Sequence, residues 1–265
     1  MHPVLFQIGL FTAYSYGFMI ALGAILGIFL SEYRAKRRGM DGELIFNACL
    51  YGLLAGLLGA KLTYVISHFA DLFTDPMSVL GLDGFTVYGG VILGVLVGVW
   101  YLKKHNAAAP EILDLVIPQV ALAQGFGRIG CFLAGCCYGK PTDSALGVVF
   151  PAEAVAPSGV SLWPTQLFSS IGNFLIFGIL LLIGYLAAKK GKALKPFTIT
   201  GCYLCLYGVG RFLVEFFRAD PRRMLFGLSS NQYVSFLFLA LGLYLILRRR
   251  PARSSAERPV RSTAE

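Results

Sequence analysis

Two arginine residues lie deep inside apolar segments of this 265-residue chain. The first, Arg128, stands in the stretch 127–139, which also holds four glycines and three cysteines. An unpaired charge in apolar surroundings is costly, so a guanidinium there needs a partner. Its planar fork of donors suits a phosphate or a carboxylate better than the point charge of a lysine does. We therefore predict that Arg128 holds an anionic group.

The second arginine belongs to a polar stripe. Tyr207, Arg211, Glu215 and Arg218 are spaced by four, four and three residues, so they share one face of a helix. This spacing predicts an ion pair between Arg211 and Glu215, which Arg218 can meet from the other side. Together with Arg128 the stripe indicates a cavity that binds an anion. The alternative is a network of Arg211, Glu215 and Arg218 that only fixes helix packing.

The six cysteines lie within or at the ends of apolar segments, unlike the loop-spaced cysteines of secreted disulfide proteins. Cys202 and Cys205 have a CxxC spacing, but on an apolar helix we interpret them as packing residues. Cys131, Cys136 and Cys137 are consistent with close packing or, alternatively, with a thiol site.

The elements that must position these residues are membrane helices. Hydrophobic residues make up 56% of the chain, charged residues only 14%, and the mean hydropathy is +0.68. One aqueous core cannot hide so many apolar residues, which favours an all-α polytopic membrane protein. Apolar runs of about 20 residues predict about seven spans. These are approximately 13–31, 44–66, 85–102, 111–138, 166–187, 197–217 and 229–247.

The basic residues predict the orientation. Most of the 23 lysines and arginines follow the first, third, fifth and seventh spans, which in this topology share one side of the membrane. The positive-inside rule then places the N-terminus outside and the C-terminus in the cytoplasm. Because topology explains the net charge of +9, nucleic acid is excluded as the main partner. We predict a single membrane domain over 1–250 and a disordered cytoplasmic tail over 251–265.

Five motifs, in order along the chain, resemble those of the prolipoprotein diacylglyceryl transferases. The stretch 127–139 is similar to the family signature, which begins Gly-Arg-x-Gly and ends Gly-x-x-x-Gly. The resemblance covers essentially residues 1–250. The other matching segments are 2–6 with 16–17, 88–91, 164–167 and 207–218.

The resemblance implies an enzyme of lipoprotein biosynthesis in the bacterial inner membrane. Such a transferase moves the diacylglyceryl group of phosphatidylglycerol onto the lipobox cysteine of a prolipoprotein signal peptide and releases glycerol 1-phosphate. In that membrane the orientation predicted from the basic residues makes the N-terminus periplasmic and the C-terminus cytoplasmic. The remaining basic residues, in the outer halves of spans and the outside loops, predict a site facing the outer leaflet. The resemblance implies no metal or organic cofactor.

The resemblance also implies residue roles, which fit the chemistry of a departing phosphate. Arg128 and Arg211 are predicted to stabilise its charge, Glu215 to orient Arg211, and Tyr88 to complete the catalytic set. The residues predicted to bind phosphatidylglycerol are Arg128, Tyr16, Gly89, Gly90, Gly139, Gln166, Tyr207, Arg218 and Lys61.

This sequence departs from the family pattern where a base is expected. Tyr88 replaces the motif histidine, and none of the three histidines lies in a site motif. A free phenol, with a pKa of about 10, is a weak base at neutral pH. Tyr88 therefore either helps to deprotonate the thiol, assisted by a neighbouring arginine, or only binds phosphate. The remaining departures are Trp163, Ser169, Cys131, Cys136 and Lys61.

Two alternatives stay open beside the transferase. One is a paralogue that keeps the lipid pocket and modifies a different acceptor, which the missing histidine favours. The other is a transporter or a non-catalytic binder of anionic lipid. A repeated half would favour transport, and the sequence shows no clear repeat.

Overall fold

The computed structural model describes residues 4–8, 11–81, 84–219, 224–225 and 227–248. Within them the chain is mainly helical, with three short antiparallel strand pairs. The elements are β1 (Val4–Ile8), β2 (Phe11–Tyr14), α1 (Ser15–Arg37), α2 (Gly42–Ser67), α3 (Asp71–Thr74), α4 (Pro76–Leu80), α5 (Val87–Lys104), α6 (Ala109–Ala134), β3 (Val148–Val149), β4 (Ser161–Leu162), α7 (Thr165–Lys189), α8 (Thr198–Glu215), β5 (Met224–Leu225), β6 (Leu228–Ser229) and α9 (Ser230–Leu247).

Six helices among the described residues are long and apolar enough to cross a membrane, namely α1, α2, α5, α6, α7 and α9. The chain is thus a polytopic membrane protein, and the predicted all-α class is confirmed. The predicted span 197–217 is also a helix, α8, but Arg211 and Glu215 lower its hydropathy. The count of seven spans and the orientation of the termini stay predictions.

The helices carry apolar side chains on their outer surfaces. Ile66 and Leu247 are each 73% exposed, and Leu182 in α7 is 53% exposed. A soluble monomer rarely exposes large continuous apolar patches. These faces therefore suit the hydrocarbon of a bilayer.

The described contacts divide the chain into two compact units. The first unit comprises Met1–Gly23 and Val120–Glu265, and the second comprises Ala24–Gln119. A single domain over 1–250 stays a prediction. The predicted tail 251–265 and residues 2–3 of the N-terminal motif lie outside the described residues.

The second unit is built on a close pair of helices, α2 and α5. A Cβ atom on Gly59 would lie 2.7 Å from the Gly89 carbonyl oxygen, and one on Gly90 would lie 2.9 Å from the Gly56 carbonyl oxygen. Glycine therefore lets the two backbones touch, as is common between membrane helices. Asp41 caps α2 by accepting from the Leu44 backbone N–H at 3.0 Å.

The first unit contains the start of α1, most of α6, and α7 to α9. Ser229 is the N-cap of α9 and forms a capping box with Gln232. The Gln232 backbone N–H donates to the Ser229 hydroxyl, and the Ser229 backbone N–H donates to the Gln232 side chain. The connection between α6 and α7 folds over a small apolar cluster of its own. Its buried members are Phe150, Ala156 and Leu162.

Candidate functional site

A cavity of about 50 Å³ lies between α6, α7 and α8 of the first unit. A single water needs roughly 10–15 Å³ of such volume, so the cavity suits a few waters or one small polar group. Acyl chains do not fit inside it. Its lining residues are Arg128, Phe168, Ser169, Gly172, Asn173, Ile176, Tyr207, Gly210, Arg211 and Val214.

The structure brings together Arg128, Tyr207 and Arg211, three residues that the sequence predicts to share a site. The two guanidinium groups are close enough for their charges to interact, and Arg218 interacts with both. Because like charges repel, such a cluster is favourable only where something negative compensates it.

Glu215 supplies part of that compensation. Its Oε2 atom lies 3.5 Å from Arg211 Nη2, so the predicted ion pair is confirmed. Ser229 Oγ donates to Glu215 Oε1 at 2.7 Å, and Asn231 Nδ2 donates to the same oxygen at 3.3 Å. The side chain of Glu215 is only 4% exposed. This buried network fixes the carboxylate beside Arg211.

The cavity keeps both positive charge and unmet hydrogen-bonding groups. Among the described residues, Arg128 has no carboxylate within ion-pair distance, so Glu215 balances only one of the two cavity arginines. The buried Nη1 atom of Arg211 has no hydrogen-bond acceptor there, and the buried Oδ1 atom of Asn173 has no donor. Buried polar atoms are nearly always paired. The cavity therefore suits a ligand that is anionic and also carries a donor.

Three other predicted site residues do not line this cavity but surround the end of α6. Gln166 Nε2 donates to the Cys136 carbonyl oxygen at 2.8 Å. The Gly139 N–H donates to the Trp163 carbonyl oxygen at 2.9 Å, and Gly139 bridges to Arg218. Tyr16, 43% exposed, lies within electrostatic reach of Arg128. Gln166 and Gly139 thus hold the backbone beside the cavity.

Four predicted residues belong to the second unit. Gly89 and Gly90 face α2, where their missing side chains allow the close helix contact. Lys61 Nζ donates to the Gly81 carbonyl oxygen at 2.5 Å and lies 5.3 Å from the centre of the Phe85 ring. Tyr88 is 57% exposed. Their roles in lipid binding and catalysis stay predictions.

Three polar residues at the site, Asn173, Ser229 and Asn231, were not predicted from the sequence. Asn173 lines the cavity, and Ser229 and Asn231 hold Glu215. An asparagine in the middle of the apolar helix α7 is a signal that could have identified the first. Ser229 and Asn231 lie at the start of α9, and their contact with Glu215 depends on tertiary packing.

The fold and the cavity define a class: a polytopic membrane protein with a cationic site among its helices. The family model of the prolipoprotein diacylglyceryl transferases matches residues 3–248. A phosphatidylglycerol–prolipoprotein diacylglyceryl transferase of Clostridium tetani is 44% identical over 246 residues, covering 92% of this chain and 96% of the relative. An enzyme with that name from Clostridium perfringens is 43% identical, covering 92% of this chain and 94% of the relative. One from a Nostoc species is 31% identical, covering 94% of this chain and 91% of the relative.

The chain belongs to the prolipoprotein diacylglyceryl transferase family. The resemblance carried by the five motifs is thereby confirmed.

Proposed function

We propose that this protein transfers the diacylglyceryl group of phosphatidylglycerol to the lipobox cysteine of prolipoproteins. The products are a thioether on the prolipoprotein and glycerol 1-phosphate. The single observation that carries the proposal is the cavity with Arg128 and Arg211, in which only one guanidinium has a carboxylate partner among the described residues. The names of the relatives point to the same two substrates.

The charge of the cavity suits the bond that breaks. The cysteine thiolate attacks the carbon of the diacylglyceryl group that bears the phosphate ester. A C–S bond forms there, and the bond from that carbon to the phosphate oxygen breaks. The electron pair goes to the departing phosphate oxygen, and the charge of the phosphate grows from one to two. Arg128 and Arg211 would stabilise that growing charge, which is the kind of interaction that accelerates a chemical step.

The unmet polar atoms suit the rest of the headgroup. A phosphate oxygen can accept from Arg211 Nη1, and a glycerol hydroxyl can donate to Asn173 Oδ1. The cavity is too small for acyl chains, which would remain in the bilayer. These features favour a glycerol phosphate headgroup over a bare carboxylate.

The thiol must lose its proton before it attacks. Tyr88, in place of the family histidine, is our candidate for that step or for binding the phosphate. The protein would lie in the bacterial inner membrane with its site toward the periplasmic leaflet, where the signal peptide presents its lipobox cysteine.

Complementation tests the proposal. The full chain is expressed in a bacterium depleted of its own diacylglyceryl transferase, and a lipobox reporter is analysed by mass spectrometry. We expect the reporter to carry a diacylglyceryl adduct with wild-type protein and to lose it with Tyr88→Phe. A matched control is Tyr185→Phe in α7, which removes an exposed phenol outside every site motif.

The outcomes separate the alternatives. No adduct from a well-inserted wild-type chain contradicts the transfer proposal and favours a paralogue with another acceptor or a lipid binder. A full adduct with Tyr88→Phe removes Tyr88 from the catalytic residues and leaves the role of the arginines intact.

A further inference from the structure

Three cysteine thiols meet just beyond the arginine-lined cavity, at the C-terminal end of α6. The sulfur atoms of Cys131, Cys136 and Cys137 all lie within 4.8 Å of one another. Cys131 is buried, and the other two are partly exposed. None of them lines the cavity. They form a cluster that the proposed transfer does not use.

The way in which α6 ends explains the cluster. Gly135 has a left-handed backbone with φ of 73°. Its N–H donates to the Phe132 carbonyl oxygen at 3.2 Å, and the Cys136 N–H donates to the Cys131 carbonyl oxygen at 3.1 Å. These two bonds form a Schellman motif, which folds the chain back and brings the side chains at its two ends together. Here both ends are cysteines.

Cys137 joins the cluster with a left-handed backbone conformation that hydrogen bonds from α7 hold in place. Its φ of 61° is rare for a residue other than glycine, so the surrounding structure must hold it. Thr165 Oγ1 donates to the Cys137 carbonyl oxygen and Gln166 Nε2 to the Cys136 carbonyl oxygen, each at 2.8 Å. The start of α7 thus fixes the turn, and the three sulfurs converge before any ligand arrives.

The neighbouring charges favour thiolates. Arg218 donates a hydrogen bond to the Cys137 sulfur, and Arg128 lies within electrostatic reach of Cys131 and Cys137. Three thiolates around a divalent cation carry one net negative charge, which these guanidinium groups can offset.

We propose that Cys131, Cys136 and Cys137 form a binding site for one thiophilic metal ion of the Zn²⁺ class. Zn–S bonds of about 2.3 Å place the sulfurs of a tetrahedral site roughly 3.8 Å apart, so the cluster needs only small side-chain adjustments. Binding displaces the thiol protons, and the fourth coordination position stays open to solvent or another ligand. This site is independent of the proposed transfer, for which the family resemblance implies no metal.

The chain offers a matched control in α8. Cys202 and Cys205 have the spacing that often marks a metal site, but Cys205 Sγ contacts the Leu239 carbonyl oxygen at 3.8 Å instead. Among the described residues, the convergent metal-ligating group is the α6 cluster. A metal ion should therefore distinguish these two cysteine groups in one protein.

Cadmium titration is the first test. Cd²⁺ is added to the purified full chain in detergent micelles under reducing conditions, and the ultraviolet sulfur-to-cadmium charge-transfer band is recorded. We expect saturation at one ion per chain for wild type and for Cys202→Ser with Cys205→Ser. Cys136→Ser removes a metal ligand and should weaken Cd²⁺ binding by more than roughly 100-fold. Loss of a residue that only supports a ligand typically costs roughly 10–100-fold. An unchanged affinity in Cys136→Ser, or no band in wild type, overturns the proposal.

A second measurement needs no variant and so does not depend on how well Cys136→Ser folds. The wild-type chain is treated with N-ethylmaleimide with and without Zn²⁺, and the labelled peptides are quantified by mass spectrometry. Zn²⁺ should protect Cys136 and Cys137 and leave the labelling of Cys202 and Cys205 unchanged. Equal labelling of both groups in the presence of Zn²⁺ contradicts the site. So does recovery of the cluster as a disulfide that Zn²⁺ does not affect.

Discussion

The two compact units differ in how they satisfy a partly buried cation. In the second unit, Lys61 is accommodated by the unit itself, through the Gly81 carbonyl oxygen and the faces of Tyr64 and Phe85. In the first unit, Arg211 has one carboxylate neighbour and a buried Nη1 atom without an acceptor among the described residues. A cation with partners in its own unit does not by itself point to a ligand, and the role of Lys61 in lipid binding stays a prediction. A cation that is left partly unsatisfied beside a cavity points to a ligand.

The helix contacts differ in the same way. α2 and α5 approach each other through glycines, so close packing of the two backbones holds them together. In the first unit, Glu215 on α8 is held by residues at the start of α9, through Ser229 and Asn231. Changes at the glycine contact between α2 and α5 should therefore affect mainly stability, and changes around the cavity should affect mainly activity.

The largest expected effect is the loss of a cavity arginine. Arg128→Ala or Arg211→Ala should reduce the rate of diacylglyceryl transfer by about 10²–10³-fold, or about 2.7–4 kcal/mol of transition-state stabilisation. The measurement is the initial rate of adduct formation in membranes, normalised to the amount of inserted protein.

Arg38→Ala is the matched control, because Arg38 is exposed just after α1. It should keep the wild-type rate. A near wild-type rate in either cavity variant would show that the arginines do not stabilise the departing phosphate.

Removing the charge of Glu215 should have the next largest effect. Glu215→Gln keeps the shape of the side chain but weakens its hold on Arg211, and hydrogen bonds to charged groups contribute about 1.5–3 kcal/mol. We expect transfer to slow by roughly ten- to hundred-fold in the same rate assay. Glu43→Gln, at an exposed position in the first turn of α2, is the control. Full activity of Glu215→Gln at normal abundance contradicts the orienting role.

A glycine substitution tests the close contact between α2 and α5 in the second unit. Gly59→Ala places a methyl group against the Gly89 carbonyl oxygen, so overpacking should lower the free energy of unfolding by roughly 1–3 kcal/mol. Thermal unfolding in detergent micelles measures the change. Gly178→Ala in α7 meets nothing within 4 Å and should leave the protein equally or slightly more stable. Equal unfolding temperatures for the two variants would argue against a close α2–α5 contact.

The smallest effect is expected at the start of α9. Ser229→Ala removes an N-cap and one hydrogen bond to Glu215, which should cost about 1 kcal/mol of stability. The unfolding temperature should fall slightly, while transfer continues at a reduced rate. Ser67→Ala, at the exposed end of α2, is the control. If Ser229→Ala abolished transfer without destabilising the protein, Ser229 would have a direct role in the site.

Helical periodicity explains why part of the site was predictable. Residues four apart on α8 must share a face, so the pairing of Arg211 with Glu215 follows from their spacing. Long apolar runs likewise predict seven helices, six of which, among the described residues, are long and apolar enough to cross a membrane. Both inferences depend on local geometry, which a single sequence contains.

Contacts between distant segments could not be predicted in this way. Nothing in the spacing of Ser229 and Asn231 shows that they hold Glu215. Gly89 and Gly90 are predicted from a motif to bind lipid, which stays a prediction, and the motif gave no sign that they also pack against α2. A motif identifies a segment, and only the tertiary structure shows what each of its residues contacts.

We propose that the arginine-lined cavity holds the phosphate group. An experimental structure of the full chain in a lipid nanodisc with glycerol 1-phosphate bound would show this directly. We expect a phosphate between Arg128 and Arg211, with an oxygen about 3 Å from Arg211 Nη1. A phosphate bound elsewhere, with this cavity unchanged from the ligand-free protein, would contradict it.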